Sequence, residues 1–160
     1  MYSILDIILV LKEKRDKLNL NREVNLVKIH ECERLIHYYC TLYSRTLGSI
    51  NKKRENLDMY DGLLEIKEKI QSPRWIEAIV PLSYKFINKR RSSLISKIDS
   101  LTERSYELRE NVELYQRKKF LLKIENDQIE KKLGYIDEGI KHPDSSLNKN
   151  SYIKKLVLKR

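Results

Sequence analysis

The sequence has little of what builds loops and tight turns. Its 160 residues include four glycines, three prolines and one tryptophan, and its only alanine is Ala78. Because glycine and proline mark most turns, their scarcity excludes a fold with many short strands. Lysine, glutamate, leucine, isoleucine and arginine dominate instead, which is typical of long helices and coiled coils. The composition predicts an all-α protein.

Cysteine and long apolar runs are also scarce. Cys32 and Cys40 lie eight residues apart, which on a helix is about 12 Å and exceeds the roughly 7 Å that a disulfide can bridge. Two unpaired thiols favour the reducing cytosol. The apolar run at residues 4–11, interrupted by Asp6, is far shorter than the roughly 20 residues of a membrane span. It also lacks the features of a signal peptide, so we expect a cytoplasmic protein.

Acidic residues are the minority, since 33 lysines and arginines outnumber 23 aspartates and glutamates and give a formal net charge of +10. This excess favours a negatively charged partner: nucleic acid, an anionic membrane surface or an acidic protein. The basic triplets at residues 52–54, 89–91 and 117–119 would surround a helix, whereas a nucleic-acid groove binder usually presents a stripe. We therefore expect no stable nucleic-acid partner.

Catalytic signatures are missing as well. The chain has no glycine-rich phosphate loop and no G-x-S-x-G motif. Glu33, His37 and Cys40 share one face of a predicted helix, but a zinc site would need a fourth ligand from elsewhere. We expect a non-enzymatic protein without a cofactor or a bound metal.

The clearest positive pattern is a heptad repeat in the second half. Positions taken in steps of four and three from Ile87 to Ile136 are apolar at eleven of fifteen sites, which predicts a coiled-coil helix over about residues 87–138. Arg91, Ser105, Lys119 and Asn126 are the polar exceptions, which can set register or partner. The predicted seam of this helix consists of Leu94, Ile98, Leu101, Leu108, Val112, Tyr115, Leu122, Ile129 and Leu133.

The first half shows a similar but less regular pattern. An upstream register through residues 4–18 joins a downstream one through Arg22 by consecutive steps of four, which resembles a stutter. We predict one helix over about residues 3–58. Its predicted seam consists of Leu26, Ile29, Ile36, Cys40, Tyr43 and Leu47.

The chain is predicted to reverse between these helices. Asp61-Gly62 is a turn signal, Ser72-Pro73 is typical of a helix start, and Pro81 would break a helix that held it in its interior. We therefore expect a short helical or loop tip over about residues 59–86. Trp75 would either plug this tip or be exposed to a partner.

The expected architecture is an all-α, antiparallel coiled-coil hairpin over residues 1–141. Residues 142–160 contain five basic and one acidic residue, so we expect a flexible basic tail there.

Two stretches together resemble a known family. Leu35, Tyr39, Tyr43 and Leu47 are spaced by four residues near the end of the first helix, and the string SPRWI occupies residues 72–76. The combination resembles the FliJ/YscO (SctO) family, the central stalk proteins of type III secretion and flagellar export. The resemblance implies a two-helix stalk that acts at the cytoplasmic face of the inner membrane, in a virulence or a flagellar system.

The resemblance also implies partners. The base of the hairpin would insert into a hexameric export ATPase and stimulate it, and the tip would reach the export gate. Secretion chaperones would be further partners, and the stalk would be monomeric. The implied ATPase-binding residues are Ile4, Ile8, Leu11, Arg15, Lys131, Lys132, Tyr135 and Ile136. The implied gate-binding residues are Trp75, Ile76, Leu82, Lys85 and Phe86.

A stalk that moves inside a ring also needs a charged surface without a large apolar patch, and the sequence predicts such a surface. Two alternatives stay open. One is a basic helical hairpin that binds nucleic acid, and the other is a generic coiled-coil adaptor, for which a seam residue such as Asn126 would specify a dimer.

Overall fold

A computed structural model describes residues 3–69, 80–143 and 150–158, and this part of the chain contains helices and no strand. Helix α1 spans Ile4–Lys69, α2 spans Val80–Lys141 and α3 spans Ser151–Leu158. The two long helices pack against each other, which confirms the predicted all-α hairpin. The chain divides into a terminal unit, residues 1–35 and 114–160, and a middle unit, residues 36–113.

Ion pairs between the long helices show their register. In the terminal unit, Arg15 Nη1 lies 3.9 Å from Asp137 Oδ1, and Lys119 Nζ lies 3.5 Å from Glu33 Oε1. Because the α2 number falls as the α1 number rises, the helices there are antiparallel. In the middle unit, Arg91 Nε donates to Asp61 Oδ1 at 2.6 Å.

The predicted seam positions of α2 are covered in the structure. All fifteen heptad positions from Ile87 to Ile136 are buried or half-buried, including the polar Arg91, Ser105, Lys119 and Asn126. The helix begins at Val80 and not near residue 87. A heptad repeat predicts this face well because the partner helix covers only one narrow strip of α2.

The seam of α1 follows a different register from the predicted one. Sixteen positions from Leu11 to Leu64, in alternating steps of four and three, are all buried or half-buried. The helix therefore needs no stutter at Arg22. Ile29, Ile36 and Tyr43 lie in this seam as predicted.

The other half of the predicted α1 seam is wrong by one residue. Leu26, Cys40 and Leu47 are exposed, and the seam positions beside them are Asn25, Tyr39 and Thr46. A pattern search prefers leucine to asparagine or threonine. The packing buries the polar neighbour because the seam position that follows Ile36 or Tyr43 lies three residues further along the helix, and not four.

Helix α1 also continues past its predicted end at residue 58, so the turn predicted at Asp61-Gly62 is wrong. Both residues are helical and Gly62 has no positive φ. Glycine in a helix interior costs about 1 kcal/mol relative to alanine. Seam packing at Tyr60 and Leu64 and the Asp61–Arg91 pair offset that cost.

Pro81 lies in α2, whose described part starts at Val80, and the residues before it, where the break is predicted, lie outside the described residues. Residues 59–69 and 80–86 of the predicted tip are therefore parts of α1 and α2. Ser72, Pro73, Trp75 and Ile76 lie outside the described residues.

The predicted flexible tail is wrong over residues 150–158. The Tyr152 N–H donates to Asn150 Oδ1 at 3.0 Å, which caps the start of α3. Ile153 and Val157 are 1% and 3% exposed, because their i, i+4 spacing turns both toward α1 and α2. Charge and polar composition predicted disorder, whereas this short apolar stripe determines the structure.

The terminal unit is thus a three-helix core. Its buried side chains come from α1, α2 and α3: Ile7, Leu11, Leu18, Ile129, Leu133, Ile136, Ile153 and Val157. Gly139 allows the side chains of Ile153 and Leu11 to lie close to the α2 backbone. A Cβ at position 139 would lie 2.7 Å from Ile153 Cδ1 and 3.0 Å from Leu11 Cδ1. Helix α3 fills the space that a larger side chain at position 139 would occupy.

Candidate partner-binding surfaces

The eight residues implied for ATPase binding divide into a core and a surface set. Leu11 and Ile136 are 0% exposed and form the centre of the three-helix core. They hold α1, α2 and α3 together and have no surface to offer a partner while α3 is docked. The sequence does not reveal this because the predicted tail left that face uncovered.

The other members of the set are accessible to different degrees. Ile4, Lys131 and Tyr135 are exposed, whereas Ile8 and Lys132 are half-buried. Arg15 is half-buried and its guanidinium faces Asp137 across the hairpin. The fully exposed part of this set, in the terminal unit, therefore consists of Ile4, Lys131 and Tyr135, and Arg15, Ile8 and Lys132 are partly accessible.

The residues implied for gate binding are described only in part. Trp75 and Ile76 lie outside the described residues, and the side chain of Leu82 does too. Lys85 and Phe86 are exposed on α2 in the middle unit. The Arg90 guanidinium carbon lies 5.3 Å from the Phe86 ring centroid, a cation–π contact that fixes the ring's position.

The sequence predicts a charged surface without a large apolar patch, but the terminal unit carries exposed apolar side chains. On α1, Leu20, Val24 and Val27 are exposed at i, i+4 and i+7, on the face opposite the seam. On α2, three further exposed side chains form a second outward patch: Phe120, Leu121 and Ile124. A heptad pattern assigns apolar residues to a seam and does not indicate which of the remaining apolar side chains stay exposed.

A groove between α1 and α3 is the concave feature that the sequence analysis missed altogether. It has a volume of about 520 Å³. Seven side chains line it: Val10, Glu13, Lys14, Lys17, Tyr152, Lys155 and Leu156. The groove exists because α3 packs beside α1. The only sequence signal for it is the i, i+4 spacing of Ile153 and Val157, which predicts a helix with one apolar face.

Tyr152 connects this groove to the rest of the terminal unit. Its ring centroid lies 6.3 Å from that of Tyr135, in a tilted arrangement. Burial raises the pKa of the Tyr152 phenol above its ordinary value of 10.0, because desolvation disfavours the phenolate.

The described residues show neither a metal centre nor a membrane span. Within residues 3–69, 80–143 and 150–158, no three histidine, cysteine, aspartate or glutamate side chains are grouped to hold a metal ion. Glu33, one of the three residues weighed for a zinc site, is paired with Lys119. None of the helices in this part of the chain carries an apolar stretch long enough to cross a bilayer.

Comparison of the chain with protein-family models, with curated proteins and with solved structures finds no match.

Proposed function

We propose that this protein is a non-enzymatic central stalk of a type III protein-export machine. One observation carries the proposal: two long helices form an antiparallel hairpin with a heptad seam, and both ends of the hairpin's chain lie in one unit. This is the architecture that the resemblance to the FliJ/YscO family implies. A two-helix seam leaves most side chains free for contacts with a surrounding partner.

The terminal unit would be the part that inserts into a hexameric export ATPase. Ile4 and Tyr135 supply exposed apolar and aromatic area, while Arg15 and Lys131 supply positive charge. A basic stalk would suit an acidic pore lining, because complementary charge speeds association and fixes orientation. Leu11 and Ile136 would support this surface from the core.

Residues Lys85 and Phe86 of the middle unit, together with Trp75 and Ile76, would face the export gate. The protein would then act at the cytoplasmic face of the inner membrane, without crossing it. Escort of secretion chaperones would be a further role of the same stalk.

The decisive experiment measures ATP hydrolysis by the purified export ATPase of the same organism, with and without this protein. Stimulation and co-sedimentation are expected. Arg15→Glu combined with Lys131→Glu should reduce stimulation at least about tenfold, because two attractive contacts become repulsive. Lys52→Glu combined with Arg54→Glu changes the net charge equally but lies in the middle unit, and should leave stimulation unchanged. Absence of both binding and stimulation with the unmodified chain would remove the stalk function.

A coiled-coil adaptor is the second candidate, and the exposed stripes favour it. Leu20, Val24 and Val27 form an apolar face that another helix could cover. Sedimentation at several concentrations separates the two functions: a stalk stays monomeric throughout, whereas a self-associating adaptor gains mass with concentration. Val24→Lys should abolish any such association.

A further inference from the structure

We propose that the groove between α1 and α3 is a docking site for an acidic peptide segment that inserts an apolar side chain. The groove shares no residue with the set implied for ATPase binding. The inference therefore goes beyond the stalk function and holds whether or not an ATPase is the partner. Two features of the groove carry it: an apolar floor and a basic rim.

The floor is made of Val10, Leu156 and the ring of Tyr152, all half-buried. Half-buried aliphatic and aromatic side chains in a concave site are the surroundings in which one inserted apolar side chain contributes most binding energy. The Tyr152 hydroxyl can donate a hydrogen bond to a carboxylate of the segment.

The rim is basic. Lys14, Lys17 and Lys155 outnumber the single Glu13, and Glu13 Oε1 accepts from Lys17 Nζ at 2.7 Å. Within the part of the chain that the structure describes, Lys14 and Lys155 take part in no ion pair. Two ammonium groups on opposite walls of the groove are thus available to carboxylates that flank an inserted side chain.

The concavity favours a peptide over a lipid surface. Binding to a bilayer needs an apolar face that projects outward into the headgroups, whereas Val10, Tyr152 and Leu156 are recessed between two helices. A side chain on an extended or helical segment can reach such a floor while the acidic neighbours stay at the rim.

The test uses the full chain and a fluorescein-labelled synthetic peptide of about 16 residues, with leucine at heptad a and d positions and glutamate at most others. A second peptide replaces each leucine by serine and keeps the charge. The groove variant is Lys14→Glu with Lys155→Glu. Its matched control is Lys12→Glu with Lys154→Glu, which changes the same charge on the same two helices outside the groove.

Fluorescence anisotropy should show that the unmodified chain and the control variant bind the leucine peptide, and that the groove variant binds it about tenfold more weakly. The serine peptide should bind weakly to all three. The milder pair Lys14→Gln and Lys155→Gln should give a smaller loss in the same direction, with the helical circular dichroism signal unchanged.

Four outcomes would overturn the proposal. These are no binding of the leucine peptide, equal loss in groove and control variants, equal binding of the serine peptide, or preferential binding of phosphatidylserine vesicles through Lys14 and Lys155. The second outcome would indicate a response to net charge alone, and the last would indicate a membrane surface.

Discussion

Two asparagines lie at nearly the same level of the terminal seam. The ion pairs Arg15–Asp137 and Glu33–Lys119 flank them on the two antiparallel helices, which places Asn25 and Asn126 within about one residue of the same level. Both are buried, and Asn25 Nδ2 and Asn126 Oδ1 have no hydrogen-bond partner among the described residues. Buried amides of this kind cost stability but penalise registers that would set them against leucine.

Replacing both asparagines with leucine should stabilise the fold by about 1–3 kcal/mol, because two desolvated amide groups disappear. The uniqueness of the register should fall at the same time. Urea denaturation measures the first effect, and sedimentation shows any new oligomers. Asn21→Leu, at an exposed position of α1, should change the free energy of unfolding little. A double variant less stable than the unmodified chain would mean that the two amides bond to each other.

Gly139 and Gly134 allow a matched comparison within α2. A Cβ at Gly134 would meet no atom within 4 Å, whereas one at Gly139 would meet buried methyl groups of Ile153 and Leu11. Gly134→Ala should therefore stabilise the protein by up to about 1 kcal/mol through helix propensity. Gly139→Ala should not stabilise the protein, because overpacking of the core costs about 1–3 kcal/mol and offsets the gain in helix propensity. Thermal unfolding followed by circular dichroism distinguishes the two, and equal stabilisation would show that α3 does not press on residue 139.

At the scale of elements, α3 depends on the hairpin. An isolated helix of eight residues is not stable in water, so α3 is held by Ile153 and Val157 against the core. Its docking gives Leu11 and Ile136 their complete burial. The groove proposed for an acidic segment exists only while this contact is made.

Ile153→Ala should detach and unfold α3, because it removes a side chain that is 1% exposed and costs about 2–5 kcal/mol. Hydrogen exchange should then show loss of protection in residues 151–158, while α1 and α2 of the middle unit stay protected. Lys154→Ala, an exposed neighbour on α3, should leave protection unchanged. Full protection of α3 in the Ile153 variant would contradict the packing described here.

At the scale of the whole molecule, charge is the dominant property. With a net charge of +10, the excess positive side chains repel one another. Several ion pairs, including Arg109–Glu113, join exposed side chains and contribute little to the free energy of unfolding. Raising the salt concentration should screen repulsion over distances beyond about 10 Å. The compact state is therefore expected to become more stable.

The melting temperature should accordingly rise by a few degrees when salt is raised from low to near-physiological concentration, because self-repulsion outweighs the surface pairs. Differential scanning calorimetry in sodium chloride measures this. Sodium sulfate would confuse the result, because sulfate also strengthens apolar burial. A melting temperature that falls with added chloride would show that the ion pairs dominate.

The sequence by itself determined the helical class, the hairpin and the α2 seam, because composition and a regular heptad repeat act locally and need no knowledge of the partner. On α1 it placed Ile29, Ile36 and Tyr43 in the seam, but in a register that is wrong by one residue at the positions between them. Only tertiary packing decided that Asn25 and Thr46, and not Leu26 and Leu47, are covered. It also decided that α1 continues through Gly62 and that residues 151–158 fold. The physical reason is the same in each case: burial against a neighbouring helix outweighs differences in local preference of about 1 kcal/mol.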